Sequence, residues 1–240
     1  MKKNIKAILF DSGKVLNYPT TGHWFITPEY FSFVDEKKFN AIDKEKIDLA
    51  FDKACAYVNG INLIKTKDEE YFHFKRFYEL FSESLPELEL KEEEIDGLTK
   101  DIVYNPDKYT FYEDALKVLP ELRKKYRLAI VSDAWPSLRD VYEDKGLFDF
   151  FESFVISSII GVTKPDEKMY LTAIEELNIE PGEAVFIDDH LKNCLGAINL
   201  GINAVYLCRD KAQYLYEKKL SKGKGYEVIN NLEELKDIIE

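Results

Sequence analysis

Several apolar runs of this chain end in residues that could do chemistry. Ala7-Ile8-Leu9-Phe10 runs into Asp11-Ser12-Gly13, Leu128-Ala129-Ile130-Val131 into Ser132-Asp133, and Ala184-Val185-Phe186-Ile187 into Asp188-Asp189. A further run, Phe154-Val155-Ile156, is followed by a turn carrying Lys164 before Pro165. In an open parallel sheet, ligands and reacting groups collect at the carboxyl ends of the strands. Asp11, Ser132, Lys164 and the Asp188-Asp189 pair would then meet at one edge. Adjacent carboxylates repel unless a cation or a shared proton intervenes. Oxygen donors of this kind, with a carbonyl and waters, suit Mg2+. An aspartate attacking phosphorus needs that metal to relieve repulsion and a lysine to neutralise the developing charge. Each residue alone has a plainer reading. Asp11 and Ser132 could be turn residues, Lys164 a solvated loop lysine, and Asp189 a helix cap. His23, His73 and His190 read as structural or surface residues.

The elements that would position these groups follow from periodicity. Short apolar runs alternate with amphipathic helical patterns from Thr110 onward, which predicts a parallel sheet covered on both faces. Glu113–Lys125 reads as a helix with Pro120 as an irregularity, and Leu138, Val141 and Tyr142 as a helix stopped by Gly146. Asp166 caps a helix burying Met169, Ala173, Ile174 and Leu177; Leu191, Cys194, Leu195 and Ile198 mark another, ended by Gly201. A strand at Ala204–Leu207, a charged helix, a Gly223-Lys224-Gly225 link and a short β-α tail close the chain. The segment between the first and second motifs has no strand alternation. Asn17 to about Thr27 reads as a connection, and three helical stripes follow: Ile47 to Val58, Phe74 to Leu85 behind a Thr66/Glu69 capping box, and Ile95 to Ile102.

Composition narrows the class. The chain has 240 residues with 45% hydrophobic and 14% aromatic content, enough for a sizeable core. A formal net charge of -12 argues against nucleic acid or an anionic membrane as the main partner. Cys55, Cys194 and Cys208 form no metal or redox spacing, which suits a reducing cytoplasm. The basic start, Met1-Lys2-Lys3-Asn4, precedes too short an apolar run for a signal peptide, and no stretch is long enough to span a membrane.

Taken together, AILFDSG, AIVSD, TKPDEKMY and VFIDDHLKN resemble, in order, the four motifs of the haloacid dehalogenase-like (HAD) hydrolases. The resemblance implies a doubly wound α/β core over residues 1–16 and 108–240, with residues 17–107 inserted as a helical cap of the C1 type. It implies that Asp11 is the nucleophile that forms an aspartyl-phosphate, and that the Gly13 backbone carbonyl is a metal ligand beside it. Ser132, with Asp133 after it, would bind phosphate. Lys164 would steady nucleophile and phosphate, Asp188 and Asp189 would hold Mg2+, and Asn193 would support their loop. The implied function is a Mg2+-dependent phosphomonoesterase acting on a small phosphorylated metabolite between core and cap. One departure stands out. Most phosphatases of the family carry a second Asp two residues after the nucleophile, as general acid and base; here that residue is Gly13. Two rivals therefore stand: metal-free hydrolysis such as carbon-halogen cleavage, and a phosphate-binding or regulatory protein without turnover.

Overall fold

The computed structural model describes residues 4–239; the basic residues Met1 to Lys3 lie outside that range. The chain divides into two units. One comprises Met1–Tyr18, Phe111–Ala134 and Lys145–Glu240, and the other Pro19–Thr110 and Trp135–Asp144.

The first unit is built on a parallel sheet. Its strands are β1 (Ala7–Phe10), β4 (Arg127–Ser132), β5 (Ser153–Ile156), β6 (Ala184–Asp188), β7 (Asn203–Leu207) and β8 (Tyr226–Ile229). Two short strands that the periodicity missed, β2 (Asn17–Pro19) and β3 (Tyr109–Phe111), pair with each other where the chain leaves and re-enters this unit. Sheet order is β5-β4-β1-β6-β7-β8. The chain thus builds outward from β1 in one direction and then, starting with β6, in the other. That reversal makes the carboxyl end of β1 a topological switch point, where such sheets open a crevice. Register fixes what meets there: Phe10 pairs with Ile130 on β4 and Ile187 on β6, so Asp11 falls in line with the ends of both neighbours.

These strands are mostly apolar, β1 (AILF) wholly so and buried throughout, as a sheet covered on both faces requires. Ala7, Leu9, Ala129, Val131 and Phe186 pack with Met169, Tyr170, Ala173 and Ile174 of the helix Glu167–Glu176. That helix starts where expected, with the Asp166 carboxylate accepting from the Lys168 amide. The helix beginning at Glu113 ends at Leu122, three residues short of the expected Lys125. Pro120 lies in its last turn and cannot donate to it.

The second unit is helical. Lys44–Asn59, Lys67–Ser84 and Glu92–Tyr104 bury Phe51, Phe74, Phe77, Phe81, Leu98 and Ile102 in one core. The capping box forms: Thr66 Oγ1 accepts from the Glu69 amide, and the Glu69 carboxylate accepts from the Thr66 amide. Two short helices, Tyr30–Phe33 and Glu36–Ala41, precede these; Asp35 caps the second by accepting from Lys37 and Lys38. The unit extends past the expected insertion of 17–107. Residues 135–144 belong to it, with the Trp135 ring centroid 4.9 Å from that of Phe74. Ser137 explains the attachment, donating from backbone and side chain to the buried Glu70 carboxylate while accepting from the buried Lys108 ammonium.

Candidate active site

The first unit brings the sequence-nominated side chains together at the carboxyl edge of its sheet. The Asp11 amide donates to the Ile187 carbonyl at 2.9 Å, so the residue is still held by the sheet although its side chain has left it. Three donors converge on Asp11 Oδ1: the Ser12 amide at 2.7 Å, Ser132 Oγ at 2.8 Å and Lys164 Nζ at 2.8 Å. A carboxylate gripped through one oxygen presents the other. The turn behind it is tight, with Leu16 and Asn17 amides bonded to the Ser12 carbonyl and the positive φ falling on Lys14 (58°).

Lys164 is the hub. Its side chain is 1% exposed, and Nζ lies 2.8 Å from both Asp11 Oδ1 and Asp188 Oδ2. Burial alone would lower the ammonium's pKa, but Asp11, Asp188 and Asp133 outweigh it and raise it, so Lys164 stays charged. The Phe186 ring centroid lies 5.5 Å from Nζ.

Asp188 ends β6 and is fully buried. The His190 amide donates to Oδ1 at 2.7 Å, and Asn193 Nδ2 to Oδ2 at 3.0 Å. Tyr170 reaches from the helix below to donate to the Asn193 carbonyl at 3.0 Å. Desolvation, then the Asp11 charge, pushes the Asp188 carboxyl up to about 6. Burial likewise raises Asp189 and Asp133. Four carboxylates around one buried ammonium are short of positive charge. Asp188, Asp189 and His190 each offer a ligand atom, all within 4.8 Å of one another. This donor set, with Asp11 alongside, fits a divalent cation.

Two details differ from the sequence reading. Asp189 does not cap the following helix, Leu191–Asn199; His190 occupies the N-cap position without a side-chain cap bond. Asp133 accepts from the Lys164 amide at 3.0 Å, so its carboxylate holds the Lys164 turn, and an anion there would repel phosphate. His190 fits its reading as a structural or surface residue: its side chain is exposed with Nδ1 3.1 Å from Asp189 Oδ1, while its backbone amide fixes Asp188. No periodicity announces a backbone amide as the support of a strand-end carboxylate. The other two histidines sit in the helical unit, His23 against Phe51 and His73 with Nδ1 3.0 Å from Tyr57 Oη.

With this geometry in view, comparison with known proteins is decisive at the family level. The family model for haloacid dehalogenase-like hydrolases matches residues 5–201. The chain belongs to this family of hydrolases. Among its relatives, this HAD hydrolase is 30% identical over 148 residues to the glyceraldehyde 3-phosphate phosphatase of Methanopyrus kandleri, 58% of this chain and 61% of that one. The Pyrococcus furiosus protein of the same name is 32% identical over 44% of this chain and 46% of that one. A phosphoserine phosphatase from Thermus thermophilus is 30% identical over 42% of each. The chain thus spans about half the length of the curated relatives it matches. A crystal structure of a HAD phosphatase from Thermococcus onnurineus superposes with a TM-score of 0.59 at 25% identity, covering 98% of this chain and 97% of that one. L-2-haloacid dehalogenase from Xanthobacter autotrophicus shares the fold, with a TM-score of 0.63 at 19% identity over 98% of each chain. Among the described residues, no helix is long and apolar enough to cross a membrane.

Proposed function

We propose that this HAD hydrolase is a Mg2+-dependent phosphomonoesterase of small phosphorylated metabolites, with Asp11 as nucleophile. The observation that carries the reading is the grip on Asp11 Oδ1 by Ser132, Lys164 and the Ser12 amide. It leaves Oδ2 as the oxygen for attack, beside a carboxylate-rich edge that fits a cation. The phosphatase names of its relatives support the same class. In this reading Asp11 Oδ2 attacks phosphorus, the substrate oxygen departs, and water then cleaves the aspartyl-phosphate. Ser132 and Lys164 bind the transferring phosphoryl oxygens and hold Asp11 in line. Asp188 and Asp189, with Asp11 and the Gly13 carbonyl, would hold Mg2+, and Asn193 keeps Asp188 in place. Bound there, Mg2+ supplies charge neutralisation between the nucleophile and the incoming phosphate. The inserted helical unit would act as a cap and carry the specificity.

A panel of phosphorylated metabolites, including glyceraldehyde 3-phosphate, phosphoserine and p-nitrophenyl phosphate, tests this. Phosphate release is expected with Mg2+, to vanish in EDTA, and to be abolished in Asp11→Asn and Asp188→Asn with the fold retained. Hydrolysis undiminished in EDTA would overturn the metal-dependent reading and favour the dehalogenase-type chemistry that a missing second aspartate also permits.

A further inference from the structure

The turn that follows Asp11 leaves two backbone carbonyls, those of Lys14 and Val15, which its internal bonds do not use. Arg209, just beyond β7, takes both: Nε donates to the Lys14 carbonyl at 3.1 Å and Nη2 to the Val15 carbonyl at 2.7 Å. The same guanidinium is itself fixed. Nη1 and Nη2 donate to the two oxygens of Asp114, each at 3.0 Å, and the guanidinium carbon lies 3.6 Å from the Tyr112 ring centroid. Asp114 in turn accepts from the Leu232 amide at 2.9 Å. Both side chains are largely buried, Arg209 at 23% and Asp114 at 12% exposure. Only a planar fork of donors can serve a carboxylate bidentately, stack on a ring and still reach two carbonyls; a lysine ammonium cannot.

We propose that Arg209 is a positioning residue for the hydrolytic reaction. It clamps the backbone one and two residues past Gly13, so that the Gly13 carbonyl and the Asp11 carboxylate keep their places during turnover. The idea rests on the phosphatase reading of the same site. Arg209 touches no reacting atom and works through the turn alone. A loose ligand shell costs metal affinity and rate rather than substrate affinity. Removing a partner that orients metal ligands typically costs about 10- to 100-fold in either.

The test uses the full-length protein, p-nitrophenyl phosphate as substrate, and Mn2+ as a spectroscopic probe. Arg209→Ala is expected to lower kcat by about 10- to 100-fold with KM little changed. Mn2+ affinity, read by electron paramagnetic resonance on the metal-free protein, should fall in parallel. Millimolar guanidinium should restore much of the lost rate in Arg209→Ala, while Arg209→Lys should stay impaired. Amide exchange should quicken across Gly13–Leu16 but not within β1. Asp114→Asn, which leaves the two carbonyl bonds in place, should show a milder version of each effect. Unchanged kcat, Mn2+ affinity and exchange in a folded Arg209→Ala would overturn the proposal. So would a loss that spreads to all amides and resists guanidinium, which marks a purely structural role. If the wild-type protein releases no phosphate from any substrate, the phosphatase reading fails, and the Mn2+ and exchange readouts still decide whether Arg209 orders the turn.

Discussion

The substitution at Gly13 sets the most specific expectation at the scale of single residues. In the proposed phosphatase reaction, with no carboxylic acid two positions past Asp11, the departing oxygen must leave unprotonated or take a proton from elsewhere. General acid assistance is typically worth about 10²- to 10⁴-fold, and its loss weighs most on poor leaving groups. A steep fall of rate with leaving-group pKa is therefore expected, with p-nitrophenyl phosphate far ahead of glycerol phosphate. The left-handed conformation of this turn belongs to Lys14 (φ 58°), so Gly13→Asp is a reasonable graft, and it should flatten the slope by speeding the poor substrates. A flat slope in the wild-type protein would show that another group already donates the proton. The candidate residues themselves were legible because strand-end carboxylates and a lysine before proline stand out against apolar runs. Their support was not. Asp188 is held by the His190 amide and Asp11 by the Ser12 amide, and every residue but proline has an amide to offer.

At the scale of elements, close packing transmits small changes to the site. A Cβ placed on Gly196 would stand 2.6 Å from Pro165 Cβ and 3.1 Å from the Tyr170 hydroxyl. Pro165 follows Lys164, and Tyr170 braces Asn193. Gly196→Ala should therefore cost about 1–3 kcal/mol of stability by overpacking. It should also lower kcat, by as much as about 10²-fold if Lys164 moves by an ångström. Thermal denaturation and steady-state kinetics on one preparation check both. In the helical unit, the buried Glu70–Ser137–Lys108 cluster predicts a different pattern. Burial raises the pKa of Glu70 and lowers that of Lys108. Glu70→Ala removes the acceptor of both Ser137 bonds beside a buried ammonium and should destabilise by about 3–5 kcal/mol in urea titrations, whereas Glu70→Gln, which keeps an acceptor and matches the protonated acid in charge, should cost far less. The sign with pH follows from linkage. The folded state holds the Glu70 proton more tightly than the unfolded chain, so the Glu70 contribution is full below the ordinary carboxylate range. It is lost as pH rises through the raised value, and Glu70→Gln should remove that slope. Strands and amphipathic helices were readable because periodicity and caps act locally. The short β2 and β3, and the helices Tyr30–Phe33 and Glu36–Ala41, were too brief for periodicity to register, although Asp35 before Glu36 is a capping signal in plain view.

At the scale of the whole molecule, the two-unit organisation was foreseeable from the loss of strand alternation after Asn17. The return of residues 135–144 to the helical unit was not, because Ser137 and Trp135 find partners at Glu70 and Phe74, more than sixty positions away. The central place of β1 has a consequence for how the protein is made. Ala7 pairs with Arg127, and Ile8 with Val185, so the first strand synthesised has no neighbour in its sheet until most of the chain exists. At ribosomal speeds of about 5–20 residues per second, Ala7–Phe10 waits roughly 6–24 s for β4 and longer for β6. The helical unit, rich in local contacts, can order meanwhile. In refolding followed by pulsed hydrogen exchange, amides of Lys67–Ser84 should gain protection before those of β1. Simultaneous protection would show that the sheet nucleates as early as the helices. Asp11 and Asp188, the first and nearly the last of the site's residues to leave the ribosome, meet only late, so a chain interrupted before Ser132 carries the Asp11 carboxylate with its Ser12 amide bond alone, without the Ser132 hydroxyl and Lys164 ammonium that complete its setting.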